Sequence, residues 1–264
     1  MRWIHFWVRV SAKINEILVE NLLQSHKNFK GLFMKKILFS LFVSISMTSF
    51  ADDHIKPQEG AFTSLYVAAV DIDKYVSFLK KNTEAFEAIG SSNAGICITR
   101  SGNQYPGQMM IWNAFSSIED AMVGSLKYDP YAAKAPVSNL RSLKHNTIWK
   151  SLKEFRLEPG HEVVSRFKVK RQNIDSFVQA MASLEKEIQE NGHPDFFNGV
   201  FISIAGGLES QTLKVRSITS SASDQGKIAD EFFTGKYKSF NDAVALTDGF
   251  VDEQIQICEQ IYKK

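Results

Sequence analysis

The chain is expected to fold as an α+β protein in which two tandem β-α-β-β-α-β units pack sheet to sheet. Three observations lead there. Short segments recur at a near-constant offset, alternating and helical patterns follow one order in both halves, and each unit leaves an apolar sheet face uncovered. Asp71–Val76 (DIDKYV) returns as Asn173–Val178 (NIDSFV), 102 residues later. Gly95–Arg100 (GICITR) pairs with Gly199–Ile204 (GVFISI), and Ser116–Asp120 (SSIED) with Ser220–Asp224 (SSASD), both at an offset of 104. One such match is weak, but three in the same order mark a repeated unit.

In the first unit, FTSLYVAAV alternates as a strand does, and Asp71 is placed to cap the helix that follows. That helix is expected to run to about Ala88, with Ile72, Tyr75, Val76, Leu79 and Phe86 forming its apolar stripe. A strand from Gly95, a turn at SGNQYPG and the strand QMMIWNA follow. Ser116 with Glu119 has the spacing of a capping box and opens a shorter helix; NTIWKSLKEF supplies a fourth strand. In the second unit, EVVSRFKV leads to a helix from Asn173 to about Glu190, then to strands NGVFISIA and TLKVRSIT around the turn AGGLES. A helix from about Ala222 to Phe233 and the strand DEQIQICEQIY complete the order.

This order is the split βαβ, ferredoxin-like motif, with units over residues 61–158 and 159–264. Two helices cover one face of each sheet, so two tandem copies satisfy each other by stacking their bare faces. With the element order and Met109–Met122 (MMIWNAFSSIEDAM) in view, the chain resembles the dimeric α/β-barrel superfamily, of antibiotic-biosynthesis-monooxygenase-like and stress-response barrel type, as a tandem fusion. The resemblance covers Ala61–Lys264. It implies a strand order of 4-1-3-2 in each half, with the second strand of one half beside the fourth of the other. Cys97 and Cys258 would then be neighbours across one seam, either bridged or as two buried thiols. Haem-degrading members of such families use an Asn on the first strand, a Trp on the third and a His about ten residues on. Trp112 matches the second role, the first strand has no Asn, and Met122 stands where the His would be.

Alternation also sorts residues by face. Leu65, Val67, Met109 and Ile111 should face the helices, as should Phe167, Val169, Leu213 and Val215. The other face carries Ser64, Tyr66, Met110 and Trp112 in one unit and Arg166, Lys168, Lys214 and Arg216 in the other. Tyr66, Trp112, Arg166, Lys214 and Arg216 are therefore the candidate ligand-binding residues, an apolar wall facing cations that suit an amphipathic anion. The alternative is that acids such as Glu162 neutralise the basic face. No histidine pair has metal-ligand spacing, and no serine lies in a nucleophile elbow.

Met34–His54 has the form of an export signal: Lys35 and Lys36, an apolar run from Ile37 to Met47, and Ser49-Phe50-Ala51 before a cut. Residues 1–33 are expected to be a non-native upstream extension, the rival being an amphipathic targeting helix; residues 34–51 form the signal and 52–60 a flexible mature N-terminus. The whole chain has 31 basic and 29 acidic side chains, but residues 1–51 hold seven of the former and two of the latter. The mature part keeps 24 against 27, a net charge of −3, which removes the case for nucleic-acid binding. The apolar run is too short to span a bilayer, so no stable membrane insertion is expected after cleavage. A cut after Ala51 would leave Asp52, Asp53 and His54 able to wrap Cu(II) or Ni(II) in a square plane; otherwise no metal site is expected.

The leading expectation is a monomeric periplasmic or secreted protein that binds a small molecule in its barrel interior without a cofactor. The first alternative is a cofactor-independent monooxygenase-like enzyme, and the second a structural or interaction protein with a filled core.

Overall fold

Eight antiparallel strands close into a barrel in the computed structural model, which describes residues 57 and 59–264. The upstream extension, the export signal and the metal-binding terminus at Asp52, Asp53 and His54 lie outside the described residues. The first half contains β1 (Ala61–Ala69), α1 (Ile72–Lys81), α2 (Glu84–Ala88), β2 (Asn93–Ser101), β3 (Gln108–Phe115), α3 (Ile118–Lys127), α4 (Val137–Leu140) and β4 (Arg141–Ser151). The second contains β5 (Gly160–Val169), α5 (Ile174–Glu190), β6 (Phe197–Ala205), β7 (Leu213–Thr219), α6 (Ala222–Phe233), α7 (Lys238–Ala245) and β8 (Thr247–Lys263). Around the barrel the strands run β1-β3-β2-β8-β5-β7-β6-β4. Each half thus has its fourth, first, third and second strands in that order, joined at seams β2–β8 and β4–β6.

Local chemistry shifts several element boundaries. Asp71 caps α1 by accepting from the Lys74 amide at 3.1 Å. The helix stops at Lys81 instead of reaching Ala88, because the Asn82 side chain donates to the Phe78 carbonyl at 2.7 Å and diverts the chain. The cap of α3 is Ser117, not Ser116: its hydroxyl accepts from the Asp120 amide at 2.9 Å, while the Ser116 hydroxyl donates to the Asp120 carboxylate. Helix α7 is an addition to the expected order, and β4 begins five residues before Asn146.

Alternation divides the apolar residues between a core under the helices and another within the barrel. Val67, Ile96, Met109 and Ile111 pack with Tyr75 and Phe86 beneath the helices of the first half. In the second half, Phe167, Leu213 and Val215 join Phe177, Met181, Leu184 and Ile188 in a larger helix-side core. Cys97 and Cys258 stand directly opposite each other on β2 and β8, with Cα atoms 4.1 Å apart, and form a disulfide. The bond faces the barrel interior beside Tyr66, Met110 and Trp112. Among the described residues, no helix is long and apolar enough to cross a membrane.

Candidate functional site

The five residues expected to bind a ligand do converge inside the barrel, but the polar groups of Tyr66, Arg166, Lys214 and Arg216 are taken up by neighbours, while the buried Trp112 Nε1 has no hydrogen-bond partner. The Arg166 guanidinium grips Glu209 at 2.5 and 2.8 Å and reaches Asp252 at 2.9 Å. Arg216 holds Glu162 from Nε at 2.9 Å and again from Nη2, and Gln256 donates to the same carboxylate at 2.9 Å. The Tyr66 oxygen accepts from Arg166 at 3.2 Å and Lys214 at 3.1 Å, while the Lys214 ammonium lies 3.6 Å above the centre of the Trp149 ring. His145 stacks on Tyr66 at 4.2 Å and bonds Glu209 at 3.3 Å. Beside Trp112 and Arg216 the remaining crevice holds about 10 Å³, room for a single water. The neutralising acids considered from the sequence win: Glu162 does so from β5, and Glu209 enters from the AGGLES turn.

Burial alone would raise the pKa of Glu209, but hydrogen bonds from His145 and Arg166 and the charge of Lys214 hold it well below the ordinary value of 4.5. Burial pushes Lys214 far below an ordinary lysine, with Glu209 opposing. Because its folded pKa is depressed, Glu209 contributes stability that is fully present above pH 4.5 and lost as pH falls toward the folded value. Glu209→Gln is expected to cost about 3–5 kcal/mol at pH 7, since it leaves buried cations short of a partner. Urea titrations of both proteins should show that gap narrowing below pH 4.5; a constant gap would contradict the assignment.

A sizeable space lies on the opposite face of the sheet. A cavity of about 520 Å³ sits between β1, β3 and β4 and the helices of the first half, within the range of small-molecule sites. Leu65, Phe78, Leu79, Phe86, Ile111 and Phe115 make its wall apolar. Helix α3 closes down tightly because Gly124 has no side chain: a Cβ there would meet the Ile89 carbonyl at 2.6 Å and the Phe115 ring at 2.8 Å. The corresponding space in the second half is occupied by Phe177, Met181, Leu184 and Ile188.

Into this apolar space projects Arg141, 6% exposed, from the first position of β4. Its Nη2 donates to the Tyr128 hydroxyl at 3.0 Å, and both Nη atoms reach the Pro130 carbonyl at 3.4 Å. Tyr75 also lies in hydrogen-bonding contact; burial raises its pKa, with Arg141 opposing. These partners are neutral. Among the described residues Arg141 makes no ion pair, and its buried Nε has no hydrogen-bond partner. At the β1–β3 side of the cavity the Asn113 amide donates to Thr63 at 3.2 Å, and its buried Oδ1 is without a partner. A buried guanidinium with only neutral partners among the described residues is costly, and such a group can take up an oxygen that carries or develops negative charge.

No protein-family model matches the chain, and neither does any curated protein. Solved structures do match its fold. An anthrone oxidase-like protein aligns with a TM-score of 0.54 at 14% identity, covering 78% of this chain and 95% of its own. A variant of chlorite dismutase from Candidatus Nitrospira defluvii gives 0.50 at 11%, covering 77% and 93%. A haem-binding protein from Thermus thermophilus gives 0.48 at 11%, covering 77% and 93%, too loose a likeness to argue from. The chain is similar to the dimeric α+β barrels, an α+β fold with a closed eight-stranded antiparallel barrel.

These findings overturn the expectation of a non-enzymatic binding module. The neighbours are named as an oxidase-like protein and a dismutase, and the enclosed space is under the helices instead of in the barrel. Haem does not fit that space. Its lining contains no His, Cys or Met, and the Tyr75 and Tyr128 hydroxyls are engaged by Arg141. Trp112 faces the barrel interior, away from the cavity, and Met122 is exposed on α3.

Proposed function

We propose that the chain is a cofactor-independent, monooxygenase-like enzyme that oxidises a fused-ring aromatic compound bearing an enolisable carbonyl. The observation that carries the reading is the buried Arg141 guanidinium in a 520 Å³ apolar cavity, held by neutral partners and, among the described residues, without an ion pair. The substrate enters neutral and buries its rings against Phe78, Phe86 and Phe115. Its enol loses a proton to water at the mouth, and Arg141 takes up the resulting oxyanion. Donors fixed in a water-poor site act most strongly on charge that develops during reaction. The electron-rich ring carbon then reduces dioxygen, forming a carbon-hydroperoxide. Loss of water leaves a ketone: one methylene and one O₂ become one carbonyl and one H₂O. The apolar wall keeps solvent from quenching the carbanion.

Anthrone is a suitable probe, given the likeness to an anthrone oxidase-like protein. Oxygen uptake should match quinone formation one to one, with a single ¹⁸O from ¹⁸O₂ in each product. Uptake no faster than in protein-free buffer, across anthrone and related enolisable tricycles, would overturn the reading.

We also propose that the two halves are tandem ferredoxin-like units acting as a pseudo-dimer, so that one chain suffices. The repeated strand order and the two equivalent seams support this. We further propose export to the periplasm or medium, a reading supported by the Cys97–Cys258 disulfide because such bonds persist in oxidising compartments; the cut after Ala51 rests on the sequence alone.

A further inference from the structure

We infer that Asn113 is a specificity-determining residue for a hydroxyl on the substrate's ring remote from the oxygen held by Arg141. The inference rests on the enzymatic reading of the same cavity and adds a second recognition point to it. Asn113 is 3% exposed, lines the cavity and has its amide fixed by donation to Thr63 at 3.2 Å. That bond uses one N–H of the amide and leaves Oδ1 as a buried acceptor with no donor. Buried acceptors in folded proteins are nearly always satisfied, so an orphan lining a cavity points to a donor supplied by the ligand.

The two recognition points are complementary and well separated. Arg141 offers donors only, and Asn113 Oδ1 accepts only. In the sheet register Thr63 pairs with Asn113 and Ala69 with Arg141, so six residues of β1 separate the two positions. At about 3.3 Å per residue the backbones lie roughly 20 Å apart along the strand, and the long Arg141 side chain shortens the gap. A fused-ring molecule with its acidic oxygen on one ring and a neutral hydroxyl at a remote position of another meets both. A compound lacking that hydroxyl leaves the amide oxygen buried and unpaired, which favours the hydroxylated congener by about 5- to 150-fold.

The test compares anthrone with congeners carrying one hydroxyl on a terminal ring, scoring both affinity by quenching of ligand fluorescence and kcat/KM by oxygen uptake. Wild type should favour one hydroxylated isomer by at least about 5-fold in both measures. Asn113→Leu, close in volume, should remove that preference while still binding the parent compound. Thr63→Val, which frees the amide to turn, should weaken the preference without reversing it, and serves if Asn113→Leu does not fold. A preference that persists in both variants, or no preference in wild type, overturns the inference while leaving the enzymatic reading intact. Preferential binding without oxygen uptake supports the inference and overturns oxidation as the activity. Absence of binding by every congener overturns both.

Discussion

Replacing Arg141 by methionine should lower turnover by about 10²–10³-fold and at the same time make the protein more stable. The first effect follows from removing the donor that holds the developing oxyanion, a loss of that order where one such group is deleted. The second follows from the resting state, in which Arg141 is buried with neutral acceptors and an unused Nε. Replacing a whole buried ion pair by apolar residues is often neutral or adds about 1–4 kcal/mol, and a guanidinium held only by neutral partners carries the same desolvation cost. The gain should fall at the low end, because the Tyr128 hydroxyl and the Pro130 carbonyl lose their donor. Arg141→Lys should recover little activity, since a single ammonium does not reproduce the planar fork. Urea unfolding and oxygen uptake on the same samples decide the matter. A variant that is less stable and equally active would show that Arg141 is merely structural.

Loss of the disulfide should have the opposite profile. Cys97 and Cys258 are separated by 161 residues, and closing so long a loop contributes up to about 5 kcal/mol on the chain-entropy account. A Cys97→Ser/Cys258→Ser double variant should lose much of that, because the bond fastens β2 to β8 where the two halves meet. Activity per folded molecule should be unchanged, since the sulfurs face the barrel interior and the cavity lies behind the sheet. Denaturant titration with and without a reducing phosphine measures the first claim, and oxygen uptake in native buffer the second. Unchanged stability after reduction would show that the seam holds without the covalent link.

Much of the architecture was legible because strands declare their faces. The alternation that sends Met109 and Ile111 toward the helices also sends Asn113 there. Its neighbour Trp112 drew attention to the wrong side. Arg141 was hidden for a different reason. The outer part of β4 interleaves exposed Ser142, Lys144 and Asn146 with partly buried Leu143 and His145, and so resembles a polar loop. Only pairing with β1, through Ala69 and Val67, makes it a strand. Glu209 lay in a segment that reads correctly as a turn, yet nothing local says that a turn's carboxylate will point into a barrel. Long-range partners of charged side chains are set by tertiary approach, not by periodicity. The disulfide was accessible because strand order carries long-range information that spacing does not.

The packed barrel interior has a mechanical meaning for the cavity behind it. Tyr66, Met110 and Trp112 brace β1 and β3 from within, backed by the ion pairs of Arg166 and Arg216. Close-packed interiors of this kind resist compression and yield little. The sheet is therefore a stiff floor beneath the cavity. Any breathing that admits a guest to the cavity has to come from the roof, where residues of α1, α2 and α3 with Tyr128 and Pro130 line it.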